Sequence, residues 1–257
     1  MVNLDNYLKN IFDLLNKNEF DKALELCDRN TQIKIEHIVY NFKGAIYLKK
    51  KDLIKAQENF LFSIKSNKDF IDPYKNLFLI YNNKKEFSKL LEIAFKILEF
   101  DTKSAIYNFQ IAYALEKKGH LSKSLEYYKK AQKFGFKDKK KLFNNIANIY
   151  FDLGKIDKSI ELYENAYLNN TGDKILLNNL FGAYLEKRNI KKSKYYLNEA
   201  KKLDTDYINF KLNKAKYLFL VNKIDEAIKI LEQIISIEDD IASIALLCKI
   251  YFRTNRL

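Results

Sequence analysis

A helical pattern of about 34 residues recurs along the whole chain. Its clearest copy is Lys140–Asp173, in which two amphipathic segments flank a short break at Leu153–Lys155. Repeats begin at residues 4, 37, 71, 105, 140, 174 and 208, and a further first helix is predicted from residue 241. A period of this length is typical of arrays of helix pairs, in which each repeat packs only on its neighbours. The chain is therefore predicted to lack a single central core.

Apolar and small residues occupy fixed columns of this repeat. With each repeat numbered from position 1, positions 8 and 20 are mostly small, and positions 11 and 24 are mostly large and apolar. One Pro and six Gly in 257 residues also favour helix nearly throughout. Columns at helical spacing indicate packed faces, and we interpret them as core. Position 17, where the second helix should begin, is always apolar: Phe20, Leu53, Phe87, Leu121, Ile156, Ile190 and Ile224.

The columns resemble the tetratricopeptide repeat. The best agreement lies in Asn41–Tyr47 with Ala56 and Phe60, and in Asn145–Tyr150 with Gly154, Ser159, Tyr163 and Ala166. The family's Trp at position 4 and Pro at position 32 are absent. The resemblance covers residues 4–257. It implies an all-α, right-handed superhelical solenoid of antiparallel helix pairs, with seven repeats and a terminal helix in one domain. It also implies a non-enzymatic scaffold that binds proteins or peptides.

A row of amides is predicted to line the inner groove, which the first helices form in this family. Position 6 is an amide in five consecutive repeats: Asn76, Gln110, Asn145, Asn179 and Asn213. A carboxamide both donates and accepts hydrogen bonds, so such a row can pair with the peptide groups of an extended chain. The row resembles the asparagine ladder in the repeat domain of O-linked N-acetylglucosamine transferase. We predict a peptide-binding groove along these residues.

Further amides surround this row. Co-chaperone domains of the same family bind the C-terminal carboxylates of heat-shock chaperones through Lys, Arg and Asn. Since every cation is replaced here by an amide, a carboxylate would gain little charge-assisted binding, and we disfavour such a clamp. The amides nevertheless belong to the predicted site. With 27 Asn and 5 Gln in the chain, duplication alone would also produce a regular row without any ligand. The corresponding positions are Asn144, Asn148, Asn179, Asn209 and Asn213.

The net charge of +13 comes from 42 Lys but only 4 Arg. Proteins that read nucleic acids favour Arg, whose planar group binds bidentately, so a nucleic-acid partner is not expected. Many lysines cluster at the turns between paired helices. A solvated surface is the ordinary explanation, and attraction of an acidic partner, an anionic membrane surface or RNA is the alternative. These lysines are Lys17, Lys49, Lys50, Lys51, Lys84, Lys85, Lys117, Lys118, Lys155, Lys187 and Lys223.

The sequence contains no recognisable catalytic or cofactor-binding pattern. His37 and His120 lie at no metal-ligand spacing from Cys or carboxylate pairs, and no phosphate-binding glycine loop or nucleophile elbow is present. We therefore expect neither metal nor cofactor. Cys27 and Cys248 fall on apolar helix faces and are predicted to be buried free thiols. Because the sequence has neither a signal peptide nor an apolar run of membrane-spanning length, we expect a cytoplasmic protein.

Two other functions compete with the binding scaffold. The pattern from residue 241 contains a first helix without its second, whereas repeat arrays normally end on a polar capping unit. Either this helix serves as a rough cap, or the chain is the front part of a longer protein. In the second case it is the substrate-presenting N-terminal region of a larger enzyme of the glycosyltransferase or sulfotransferase type, with a region missing after residue 257. An RNA-binding helical repeat ranks last, because the dominant period is 34 and position 6 is chemically invariant.

Overall fold

The structure is a computed structural model that describes residues 4–29, 35–168, 172–203 and 207–255. These ranges form fifteen α-helices and no strand, which confirms the all-α class and the paired helices. The first helices of the repeats are α1 (Leu4–Asn16), α3 (Glu36–Lys49), α5 (Asp72–Asn83), α7 (Ala105–Lys117), α9 (Lys139–Asp152), α11 (Lys174–Glu186), α13 (Ile208–Leu220) and α15 (Ile241–Thr254). The second helices are α2 (Phe20–Asp28), α4 (Leu53–Ser66), α6 (Phe87–Phe100), α8 (Leu121–Lys133), α10 (Ile156–Leu168), α12 (Ile190–Lys201) and α14 (Ile224–Ile235).

The chain divides into two compact units, Met1–Phe136 and Lys137–Leu257. The first unit contains α1 to α8 and the second contains α9 to α15. In both units, each first helix from α1 to α13 packs against the second helix of its own repeat. The single continuous solenoid and its right-handed superhelix stay predictions.

Small residues at positions 8 and 20 let the two helices of a repeat approach closely. Ser124 Oγ in α8 donates a hydrogen bond of 2.6 Å to the carbonyl oxygen of Ala112 in α7. At Gly44 in α3, an added Cβ would lie 2.6 Å from the ring of Phe60 in α4. These contacts join position 8 to positions 20 and 24, which were the columns interpreted as core.

The turns that end the first helices share one backbone geometry. In the first seven repeats the N–H of position 16 donates to the carbonyl of position 11, as from Lys155 to Tyr150 at 2.8 Å. This bond, together with a left-handed residue at position 15, forms the Schellman motif that terminates a helix. Only two of these residues are Gly. Position 15 has positive φ in all eight repeats: Asn18, Lys51, Lys85, Gly119, Gly154, Arg188, Asn222 and Asn255.

Asp173 is the N-cap residue of α11 and also connects two neighbouring first helices. Its Oδ1 accepts the backbone N–H groups of Ile175 and Leu176 at 2.9 and 3.0 Å, which caps the helix. Its Oδ2 lies 2.8 Å from Lys140 Nζ in α9. Burial acts to raise the pKa of Asp173, but the hydrogen bonds from Lys140 and the two N–H groups outweigh it, so the pKa is lowered.

The two cysteines differ in their surroundings. Cys27 is buried in the core of the first unit, and burial raises the pKa of its thiol to about 11. Cys248 in α15 is exposed, so the prediction that it is buried is wrong. It occupies position 8, a position that the second helix covers in the other repeats. Among the described residues, no second helix covers α15.

Candidate functional site

The first helices of the second unit carry a hydrogen-bonded cluster of amides. Asn179 Nδ2 in α11 donates to Asn144 Oδ1 and Asn148 Oδ1 in α9, at 2.9 and 3.4 Å. Asn213 Nδ2 in α13 donates to Asn178 Oδ1 in α11 at 3.0 Å. The amide at position 6 thus bonds to position 5 of the preceding repeat. We call these five residues the amide cluster.

The first unit repeats this arrangement once. Asn76 Nδ2 at position 6 of α5 donates to Asn41 Oδ1 at position 5 of α3, at a distance of 3.1 Å. Gln110 in α7 is half-buried, and the corresponding position 5 in α5 is Lys75 instead of an amide. The predicted row therefore consists of separate pairs between positions 6 and 5, two in the second unit and one in the first.

Not all the predicted residues enter these pairs. Asn145 is half-buried on α9, next to Asn144 in the chain, and Asn209 is exposed at position 2 of α13. Asn41 and Asn178 were missed by the sequence analysis, although both accept a hydrogen bond from a predicted residue. The missed signal is a spacing of 35 residues, one more than the period, between members of a pair: 41 and 76, 144 and 179, 178 and 213.

The bonds within the amide cluster determine which groups remain for a ligand. Asn148 Oδ1 accepts hydrogen bonds from Tyr163 Oη and from Asn179 Nδ2, which uses both of its lone pairs. Asn144 Oδ1 likewise accepts from Asn179. These bonds use the carbonyl oxygens of Asn144 and Asn148 and do not use their NH₂ groups. The α9 side of the cluster offers uncharged donors.

Backbone packing holds Asn213 against the neighbouring helix. A Cβ added at Gly182, position 9 of α11, would lie 3.0 Å from Asn213 Nδ2. The Asn213 amide therefore occupies the space that a larger side chain at residue 182 would need. Ile175, at position 2 of the same helix, is 62% exposed and offers an apolar contact beside the amides.

The lysines of the turns are partly engaged in contacts between repeats. Lys50 Nζ lies 2.7 Å from Asp21 Oδ1, and Lys187 forms the equivalent ion pair with Asp157. Both pairs join position 14 of one repeat to position 18 of the repeat before it. Exposed pairs of this kind contribute little stability. An acidic partner for the lysine-rich turns stays a prediction.

Neither a metal site nor a membrane span is found in the described part of the chain. Within those ranges, no group of three His, Cys, Asp or Glu side chains is placed to hold a metal ion. None of the helices described there combines the length and the apolar character needed to cross a membrane.

Comparisons with known proteins agree with this architecture. The tetratricopeptide repeat family profile matches residues 105–134 and 141–170, which contain α7 with α8 and α9 with α10. No curated protein sequence matches the chain.

Solved structures share the fold at low sequence identity. The tetratricopeptide repeat protein YrrB is 17% identical, with 74% of this chain and 98% of YrrB covered and a TM-score of 0.56. PilF of Pseudomonas aeruginosa is 13% identical, with 84% and 99% covered and a TM-score of 0.62. The Cut9–Hcn1 structure is 18% identical, with 97% of this chain but 49% of the matched chain covered and a TM-score of 0.62. Identities this low establish the fold alone.

Proposed function

Because the chain is a tetratricopeptide repeat protein with the fold of an interaction scaffold, we propose that its second unit binds an extended segment of a partner protein. The binding surface is the amide cluster on α9, α11 and α13, flanked by Asn145 and Asn209. The observation that carries this proposal is the orientation of the Asn144 and Asn148 amides, whose oxygens are occupied within the protein.

The chemistry favours the backbone of a peptide over its side chains. Uncharged NH₂ groups are matched to carbonyl oxygens, which every residue of an extended segment presents. Packed helices lie about 8–10 Å apart, a distance that about three extended residues span, so neighbouring first helices meet every third peptide group. Exposed Ile175 adds an apolar contact for an intervening side chain. One structural neighbour, YrrB, is described as having an unusual peptide-binding site, which supports this class of ligand.

Isosteric substitution separates binding from folding. Asn144→Asp with Asn148→Asp keeps the oxygens that accept from Asn179 and Tyr163 but removes the NH₂ donors. Dodecamer peptides selected from a phage-displayed random library against the full chain serve as probes, and their Kd is measured by calorimetry. We expect the double variant to weaken binding by about tenfold or more, since a lost donor leaves a buried carbonyl unpaired.

The matched control carries the same charge change elsewhere on the second unit. Asn198→Asp with Gln233→Glu alters two exposed side chains of α12 and α14. It should leave both Kd and thermal stability unchanged. Equal binding by the Asn144→Asp/Asn148→Asp variant and this control would show that the amide cluster is not the peptide-binding surface. The alternative hypothesis is that a catalytic region follows residue 257. The full open reading frame would test it.

A further inference from the structure

A cleft of about 370 Å³ opens on the first unit between the second helices α6 and α8. Its walls are apolar and aromatic, and the rings of Phe95 and Tyr127 meet there edge to face at 5.8 Å. Its rim is mostly cationic. The volume lies within the range of small ligand sites. The lining residues are Leu91, Phe95, Leu115, Lys118, His120, Lys123, Glu126 and Tyr127.

The cleft lies where other repeats place a tyrosine ring. In the second unit, Tyr184 at position 11 donates to Glu164 at position 25 of the preceding repeat, at 2.7 Å. Tyr251 and Glu232 form the same contact at 3.3 Å. At the corresponding place in the first unit, position 11 is Leu115, which faces the cleft together with Phe95 at position 25. A leucine in place of a tyrosine leaves room for an aromatic ring.

Lys123 lines the same cleft. It occupies position 19, from which a lysine covers the position 11 tyrosine in four other repeats. In the fourth repeat position 11 is leucine, so Lys123 has no ring there to cover. The four Lys–Tyr pairs, measured from Nζ to ring centroid, are Lys55–Tyr47 at 5.4 Å, Lys89–Tyr81 at 5.4 Å, Lys158–Tyr150 at 5.8 Å and Lys192–Tyr184 at 5.7 Å.

We propose that this cleft binds a phenylalanine or tyrosine side chain of a partner protein, inserted where position 11 of five other repeats carries its own tyrosine. The incoming ring packs on Leu91, Leu115 and Phe95, and Lys123 lies over its face. This site belongs to the first unit and is independent of the amide cluster.

The rim determines the residues that flank the ring. Lys118 is positioned at the rim by a hydrogen bond of 2.6 Å from its Nζ to Ser88 Oγ. Glu126, the carboxylate of the rim, is paired with Lys130 at 2.9 Å, which leaves the rim positive together with Lys118 and Lys123. Acidic residues beside the aromatic residue are therefore favoured by charge complementarity.

The test uses three capped tripeptides and the full chain with labelled leucine methyl groups. The probes are acetyl-Glu-Phe-Glu-amide, acetyl-Glu-Ala-Glu-amide and acetyl-Lys-Phe-Lys-amide, titrated by methyl NMR. We expect the first probe to shift the Leu91 and Leu115 signals. The alanine probe should cause no shift, and the lysine probe should bind about threefold or more weakly because its charges oppose the rim.

Two variants challenge the proposal. Leu115→Tyr fills the cleft with the residue that five other repeats carry at position 11, so the Glu-Phe-Glu probe should no longer shift the Leu91 signals. The control is Leu218→Tyr, the same change at position 11 of the seventh repeat, which should leave those shifts intact. If Leu115→Tyr does not fold, Lys123→Glu on the exposed rim tests the proposal instead. It should weaken binding of the Glu-Phe-Glu probe about threefold or more, because it reverses a charge on the rim. Unchanged binding in either folded variant, or equal binding of the alanine probe, would overturn the proposal.

Discussion

Replacing Lys85 by glycine should stabilise the first unit. Lys85 has φ of +56° at position 15, a conformation that costs an L-residue about 1–2 kcal/mol. Glycine removes this cost but adds about 0.5–1 kcal/mol of entropy to the unfolded chain. The net gain is at most about 1.5 kcal/mol in the free energy of unfolding, measured by urea denaturation followed by circular dichroism. Gly119 and Gly154 already occupy this position with φ of +77° and +71°.

The adjacent Lys84 provides the control. Its φ of −78° and ψ of −7° are right-handed, so Lys84→Gly should cost about 0.5–1 kcal/mol while removing the same positive charge from the same turn. Opposite signs for the two variants would establish backbone conformation as the cause. If Lys85→Gly is no more stable than the wild type, or if Lys84→Gly stabilises equally, the strain assigned to position 15 is wrong.

Three further predictions follow from single contacts. Gly44→Ala should lower the free energy of unfolding by about 1–3 kcal/mol through overpacking, since its Cβ would meet the Phe60 ring at 2.6 Å; an unchanged urea midpoint would contradict this. An aromatic disulfide reagent should modify exposed Cys248 in the native protein and Cys27 only after unfolding, because Cys27 is buried with a pKa of about 11; peptide mass spectrometry distinguishes them, and equal rates would contradict the structure. Asp173→Asn keeps the helix cap but loses the ion pair described above, so it should cost up to about 1 kcal/mol at neutral pH. Because the native pKa of Asp173 is lowered, this contribution is present above its unfolded pKa of about 4 and disappears as pH falls through the native value, so a difference that persisted in acid would refute the assignment.

Most of the helix boundaries could be predicted from the sequence. Each of the seven second helices begins at the apolar residue of position 17, from Phe20 in α2 to Ile224 in α14. The first helices begin within one residue of the predicted starts. These features depend on apolar periodicity and on the local turn at position 15, both contained within one repeat.

The candidate site was only partly predictable. The position 6 amides were identified, but their partners Asn41 and Asn178 were not, since the hydrogen bonds join residues 35 apart in a chain whose period is 34. Replacing Asn179 by Ala would not be a clean test of binding, because Asn179 bonds to two residues of α9 and its loss should also lower stability. Asp substitution of the acceptor residues avoids this difficulty.

The sequence by itself determined the repeat, its two helices and the residues that pack inside each pair, because these depend on contacts between residues close in the chain. Only the tertiary structure decided which amides bond to each other, that Cys248 is exposed, and that Leu115 leaves a cleft beneath Lys123. Each of these depends on the offset between neighbouring repeats or on the helix that covers a position. Periodicity within one repeat carries no information about that offset, since every repeat presents similar columns to its neighbours.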